Sequence, residues 1–361
     1  FLNAYPQPQH PTRALPGWDD WHAGAGAGPY DGYRYTMVEN GRQVRYGDRP
    51  RDYEVDVLSR KASAFVSSQE GRKRPFFLYL APYAPHAPAN PAERHRDAFP
   101  GATVPRTSNF NPEDVSGLPV WERLLARMGP RDVRKVDKQH RNRLRSMLGV
   151  QDMVERLVRT LRRSGQLDNT YLVFASDNGF HLGQHRLGSG KRTAYEEDIR
   201  VPLVVRGPGV PAGRSVRAMA STLDLAPTIA DLAGGRTPAF VDGRSLVPML
   251  HGGRTPASWR RSLLVERSNE FEQGVFDPDR EHESTFTRVP MPSYTALRTT
   301  RYTYVEYHGG AVELYDTRRD PQQLHNIART VGPALVHRLH TTLRGLARCS
   351  GKSCRSADRR R

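Results

Sequence analysis

Short apolar runs alternate with amphipathic stretches through the first 250 residues, and this alternation constrains the fold more than any other feature. Phe76–Leu80, Thr170–Ala175 and Val201–Val205 are rich in β-branched and aromatic residues, and their length suits buried strands. Helical spacing fills the gaps. Val55, Leu58, Ala62 and Phe65 predict a helix over 54–68. Leu144, Met147, Leu148, Met153, Val154, Leu157, Val158 and Leu161 predict another, which ends at Gly165. Asp224–Ala233 carries Pro227 in its first turn. Strands alternating with helices predict an α/β fold, a mostly parallel sheet sandwiched by helices. Beyond about residue 290 the pattern changes. Tyr294–Arg298, Tyr302–Tyr307 and Val312–Tyr315, with a His308-Gly309-Gly310 turn, predict a small C-terminal antiparallel sheet. A helix over 333–347 is expected to pack on it. The expected division is a large domain over 1–285 and a C-terminal subdomain over 286–361. Residues 1–50 read as a long loop with a short strand at Tyr33–Glu39, and 90–137 as polar and irregular.

A chain of 361 residues can bury a large core. Its net charge is +17, mostly from arginine. Such a field suits either a solvated surface or attraction of a polyanion. No ribonucleoprotein, zinc-finger or helix-turn-helix signature accompanies it, so no nucleic-acid partner is expected. No run of eighteen apolar residues exists, so no membrane span is expected. Cys349 and Cys354 stand five positions apart in a polar tail. That spacing predicts a small closing disulfide and hence an oxidising, secreted or periplasmic location. Two cysteines do not make a zinc site.

Asp177-Asn178-Gly179 directly follows a predicted strand. A carboxylate beside an amide oxygen is a pair of hard ligands suited to Ca²⁺ or Mg²⁺, although the same triplet also makes ordinary turns. Lys191 ends a Gly-Ser-Gly-Lys loop whose spacing is not that of a P-loop. It is either a counter-charge for an oxyanion or one more surface lysine. His86 lies between Pro85 and Pro88 at the end of another predicted strand, where the prolines fix the loop and present the imidazole. In an open α/β sheet these strand-end loops would converge. They would then bind a tetrahedral anion and protonate a leaving oxygen.

Several segments together resemble the sulfatases of the alkaline phosphatase superfamily, in their N-acetylglucosamine-6-sulfatase and arylsulfatase-like branch. The most specific runs from Leu167-Asp168-Asn169 through Ser176-Asp177-Asn178-Gly179 to Lys191-Arg192 and Val201-Pro202. The strand and histidine loop over 75–88, the stretch 221–250 and the segment 297–326 resemble further family signatures. The resemblance implies Asp177 and Asn178 as Ca²⁺ ligands. It implies Lys191 as a sulfate contact and His86 as a sulfate contact or the acid for the leaving alcohol. His185 would approach the substrate. It also implies a formylglycine nucleophile, made from a Cys-X-Pro-X-Arg cysteine, and early metal-binding aspartates.

Neither Cys349 nor Cys354 starts that motif, and Asp19-Asp20 sits in the wrong context to be the metal pair. Phe1 resembles a point just after the family's Gly-Lys-Tyr-Leu-Asn stretch. The chain is therefore expected to lack the N-terminal formylglycine region and to be inactive alone. The expected activity of the complete protein is hydrolysis of a sulfate ester, on a sulfated small molecule or a sulfated glycan. A phosphodiesterase or phosphonate hydrolase of the same superfamily, and a non-catalytic binder of sulfated polysaccharide, are the alternatives.

Overall fold

The computed structural model describes residues 5–6, 10–26, 28–268 and 291–359. They form two compact units. One comprises the chain up to Pro105 together with Gly129–Thr170; the other comprises Arg106–Met128 and the described residues from Tyr171 on. The expected boundary at 285/286 lies outside the described residues.

The first unit holds a three-stranded antiparallel sheet of β1 (His22–Ala25), β2 (Thr36–Glu39) and β3 (Arg42–Arg45). Helix α1 spans Glu54–Ser68, over the predicted 54–68. It buries Val55, Leu58, Ala62 and Val66, one stripe at helical spacing. The stripe shares a core with Val150 and Met153 of the long helix α2 (Pro130–Arg163). Each aliphatic side chain so buried stabilises by roughly 1.5–3 kcal/mol. Gly149 allows the contact: a Cβ there would stand 3.1 Å from the ring of Tyr53, which is fully buried.

Helix α2 begins earlier than its apolar pattern predicts. Residues 130–137, expected to be irregular, are its first two turns. Pro130 at the first position and Asp132 in the first turn favour a start there. Asp137 then turns inward and its Oδ1 accepts from the Val104 backbone N–H at 3.0 Å.

In the second unit, β4 (Leu172–Ala175) pairs with β7 (Leu203–Arg206), and β5 (His181–Leu182) pairs with β6 (Ser189–Gly190). A four-stranded sheet follows in the order β11 (Val312–Asp316), β10 (Tyr302–Tyr307), β9 (Tyr294–Thr299), β8 (Ser262–Arg267). This is the expected C-terminal antiparallel sheet with one more strand. Its alternating side chains serve two cores. Tyr294, Ala296, Val305, Tyr307 and Tyr315 enter one, while Leu297, Tyr304 and Leu314 enter the other. The second is closed by Leu339, Leu343 and Leu346 of a helix at Pro333–Ala347, as predicted. A shorter helix, Leu225–Leu232, lies within the predicted 224–233.

The mostly parallel sheet is not found among the described residues, where every strand pair is antiparallel. Phe76–Leu80 carries no strand pairing, and β4 and β7 pair only with each other. An apolar run signals burial on both faces but does not encode which strand lies beside it. Here the burial is also incomplete. Phe77, Tyr79, Val173, Phe174, Leu203 and Val204 are each more than a third exposed.

Cys349 and Cys354 are joined by a disulfide, as their spacing predicts. It closes the loop before a short helix, Cys354–Ala357, that delivers Asp358 to a buried ion network. Asp358 pairs with Arg244, and Arg260 donates two hydrogen bonds to Asp224 at 2.5 and 2.6 Å. No helix among the described residues is long and apolar enough to cross a membrane.

Glu54, in the first turn of α1, is 2% exposed. Burial pushes its carboxyl up from 4.5 to about 8, against the pull of a hydrogen bond from the Tyr83 backbone N–H. A raised carboxyl favours the folded state below its unfolded value and loses that advantage as pH rises through the folded one. Thermal melts should therefore fall in midpoint between about pH 4.5 and pH 8. Glu54→Gln should flatten that slope, matching wild type near pH 5 and melting several degrees higher at pH 9. An unchanged slope in Glu54→Gln would remove Glu54 as its source.

Candidate active site

The second unit brings three of the predicted site residues together. Strand β4 ends at Ala175, and Ser176-Asp177-Asn178-Gly179 turns away from it. Ser176 Oγ donates to the Asn178 carbonyl at 2.8 Å, and Asp177 Oδ1 accepts from the Asn178 backbone N–H at 2.9 Å. Both bonds hold the turn and leave the side chains at its tip. Lys191 Nζ then donates to Asn178 Oδ1 at 3.0 Å. A cation and two hard-oxygen side chains thus share one loop cluster, with Asn178 and Lys191 half-buried and Asp177 exposed.

Two close backbone approaches set this geometry. The Gly179 N–H donates to the Asp198 carbonyl at 2.8 Å and the Phe180 N–H to the Glu197 carbonyl at 2.7 Å. A Cβ on Gly179 would lie 1.9 Å from the Glu197 carbonyl oxygen, so no other residue fits there. On the far side, β5 and β6 form a hairpin in which His181 faces Gly190, and Lys191 follows directly. Arg192 sits at φ +89, a left-handed conformation that costs energy in a residue with a Cβ.

Below the cluster lies a layer of buried polar groups that sequence reasoning passed over. The Asp198 carboxylate accepts from the Thr193 backbone N–H at 2.8 Å, from Thr193 Oγ1 at 2.6 Å and from His181 Nδ1 at 2.9 Å. Glu197 Oε1 accepts from Asn109 Nδ2 at 2.8 Å, and burial pushes the Glu197 carboxyl up. The visible signal was three acidic residues, Glu196-Glu197-Asp198, just ahead of an apolar run.

His185, expected at the substrate, is fully enclosed. Its ring stacks on Tyr195 with centroids 3.8 Å apart and planes 4° from parallel. Burial and the neighbouring His181 push it down to about 3, so it is a neutral imidazole. Its Nε2 lies 3.3 Å from Asn109 Nδ2, and the buried Nδ1 has no hydrogen-bond partner. In this geometry it supports the floor of the site and reaches no solvent.

His86 belongs to the first unit. Its Nδ1 lies 2.8 Å from the Ala87 carbonyl, which selects the tautomer with the basic lone pair on Nε2. The ring meets Tyr30 edge-on at 4.4 Å, and the His86 backbone N–H donates to the Tyr83 carbonyl at 2.8 Å. These contacts hold a half-buried imidazole in a defined orientation.

The donor chemistry of Asp177 and Asn178 suits a hard divalent cation, but their number falls short. Ca²⁺ takes six to eight oxygens. Among the described residues no group of three or more His, Cys, Asp or Glu side chains could hold a metal ion. Asp19-Asp20 does not supply it: Asp20 Oδ1 accepts from Asn40 Nδ2 at 2.8 Å and lies 2.9 Å from His22 Nε2.

Comparison with known proteins shows the family. The family model described as Sulfatase matches residues 14–235, and that of the N-sulphoglucosamine sulphohydrolase C-terminal region matches 183–348. The chain is 34% identical to N-acetylglucosamine-6-sulfatase of Homo sapiens over 94% of its own length and 64% of that protein's. It is 34% identical to an arylsulfatase of Chlamydomonas reinhardtii, over 89% of this chain and 55% of that one. The chain thus spans somewhat over half the length of these relatives. The solved structure of BT4656 in complex with its substrate D-glucosamine-2-N,6-O-disulfate superimposes with a TM-score of 0.76 at 24% identity, covering 96% of this chain and 78% of that one. At that identity the likeness is one of fold.

Gly179→Ala should be among the most damaging single substitutions in the second unit, because the backbone it meets cannot step aside. A loss of roughly 3 kcal/mol or more is expected. A thermal melt within one degree of wild type would show that the 177–179 loop relaxes freely.

Proposed function

The chain belongs to the sulfatase family, and from that premise we propose that it carries the metal- and anion-binding machinery of a sulfuric ester hydrolase. The substrate would be a sulfated sugar or an aryl sulfate, and the location secreted or periplasmic. The observation that carries this reading is the hydrogen bond from Lys191 to Asn178, which sets a cation against the amide oxygen of the residue that follows Asp177. The disulfide supports an oxidising compartment.

In this reading Lys191 binds a sulfate oxygen and offsets the single negative charge of the ester. Asp177 and Asn178 are two ligands of a cation, and among the described residues no group of three or more His, Cys, Asp or Glu completes the set. Ca²⁺, or Mg²⁺ in its place, would polarise the sulfate when bound. The family resemblance gives His86 the role of acid for the leaving oxygen, which it would fill with its ring protonated at Nε2, the nitrogen not bonded to the Ala87 carbonyl. General acid help of this kind is worth about 10²–10⁴-fold. His185 is stacked on Tyr195 and bonded toward Asn109, and its role is to brace this buried layer. The domain over 1–285 would hold this chemistry, and 286–361 would brace it. The 361 residues contain no Cys-X-Pro-X-Arg, so turnover requires a nucleophile from outside them.

Two measurements test the reading. The purified chain with Ca²⁺ should bind N-acetylglucosamine 6-sulfate or 4-nitrophenyl sulfate in calorimetry and release no sulfate. Lys191→Ala should weaken that binding about ten-fold or more, in line with loss of one charge-assisted contact. Tighter binding of a phosphonate monoester than of either sulfate would favour phosphonate hydrolysis instead. Sulfate release above background, abolished in Lys191→Ala, would overturn the need for an outside nucleophile.

A further inference from the structure

One residue holds both loops of the candidate site. The backbone carbonyl of Asp198 accepts from Gly179, the residue after Asn178. Its side chain accepts from Thr193, two residues after Lys191, through both the backbone N–H and the hydroxyl. The same carboxylate takes His181 Nδ1, and His181 pairs across the hairpin with Gly190, the residue before Lys191. The residues on either side of Lys191 are therefore tied to one side chain, Thr193 directly and Gly190 through His181, and the Asn178 loop to the same residue's main chain. The side chain of Asp198 is 2% exposed and that of His181 7%. Water therefore does not compete for these bonds, and each is strong for that reason.

We infer that Asp198 is a positioning residue for Lys191, fixing the ammonium against Asn178 without touching substrate itself. This rests on the reading of Lys191 as the sulfate contact. The mechanical case is specific. A lysine on a free loop samples many rotamers, and holding it costs up to about 2 kcal/mol of side-chain entropy. Here the backbone on both sides of Lys191 is fixed, including a left-handed Arg192 that the Thr193 anchor holds in place. Loss of the Asp198 carboxylate releases Thr193 and His181 together. The strained Arg192 can then relax, and Lys191 swings with it. The side chain of Glu197, its sequence neighbour, bonds Asn109 instead, and only its main-chain carbonyl touches the Asn178 loop, through Phe180.

The test reads Lys191 directly. The chain has six lysines, Lys61, Lys73, Lys135, Lys138, Lys191 and Lys352, so reductive ¹³C-methylation gives few NMR signals, and Lys191→Arg assigns the one of interest. In wild type that signal should lie apart from those of the exposed lysines and move saturably on addition of inorganic sulfate. Asp198→Ala should bring it to the exposed-lysine position and weaken sulfate at least ten-fold. Asp198→Asn, which keeps an acceptor for Thr193, should restore part of both. Asp224→Asn is the stability control: it removes a buried charge elsewhere in the same unit and should lower the melting point without moving the Lys191 signal. If Asp198→Ala does not fold, Asp198→Asn and Thr193→Val carry the test, each with a partial shift. An unmoved signal in every Asp198 and Thr193 variant overturns the inference. So does an equal shift in Asp224→Asn, which would mean general loosening. If sulfate fails to move the wild-type signal, the sulfate-binding reading of Lys191 falls, while the positioning role is still decided by the signal's place.

Discussion

A carboxylate taken out of water must find its donors inside the protein or force its neighbours to rearrange. The second unit is arranged around that requirement. Asp224 is fully buried and takes four hydrogen bonds: from the Ser221 and Arg244 backbone N–H groups and two from the Arg260 guanidinium. These tie the start of one helix to the approach of β8. Asp198 does the same for the Lys191 loop. Glu122 accepts from the Tyr195 hydroxyl at 2.8 Å and is pushed up by burial and by Glu313 nearby. Each carboxylate joins segments far apart in sequence, and each position is tolerated only because its donors come from fixed backbone or from well-packed side chains.

The site inherits its precision from this layer. Asp177, Asn178 and Lys191 sit on turns, which are ordinarily the mobile parts of a fold. Here the turns are pinned from beneath by Gly179, Thr193 and His181, and the stacked pair of His185 and Tyr195 fills the space below. A flat ring-on-ring contact at 3.8 Å tolerates little tilt. The neutral state of His185 follows from the same burial, and a protonated ring there would lack any partner for its second N–H.

The local elements were legible because each carries its own signal. The stripe of α1, the three C-terminal strands and the helix that covers them all show their period in the sequence, and the structure reproduces them within a residue or two. Asp177, Asn178 and Lys191 were legible as a set because strand end, turn and loop occur in order. The layer beneath was not. Asp198, Thr193 and Asn109 look like ordinary polar residues until the chain brings them together, and a buried acid has no periodicity to betray it. The burial of His185 was not legible either: a histidine after Gly183-Gln184 reads as a loop residue, yet it is enclosed, with a left-handed backbone at φ 55. Strand pairing was the least legible feature, and the parallel sheet is not found among the described residues. Apolar runs announce a strand and say nothing of its neighbours.

Those runs have a further consequence. Val173, Phe174, Leu203 and Val204 lie in a two-stranded ribbon that shows apolar side chains to solvent, and among the described residues each strand has one unpaired edge. A ribbon of this kind is an adhesive surface: its unused N–H and C=O groups template another strand, and its side chains reward whatever covers them. These few residues of exposed sheet therefore work against the solubility that the large positive charge favours. At the concentrations needed for spectroscopy, the ribbon is where association between molecules would begin. Polar substitution at Val204, the most exposed of the four, is the mildest remedy because it leaves the loops above the strand untouched.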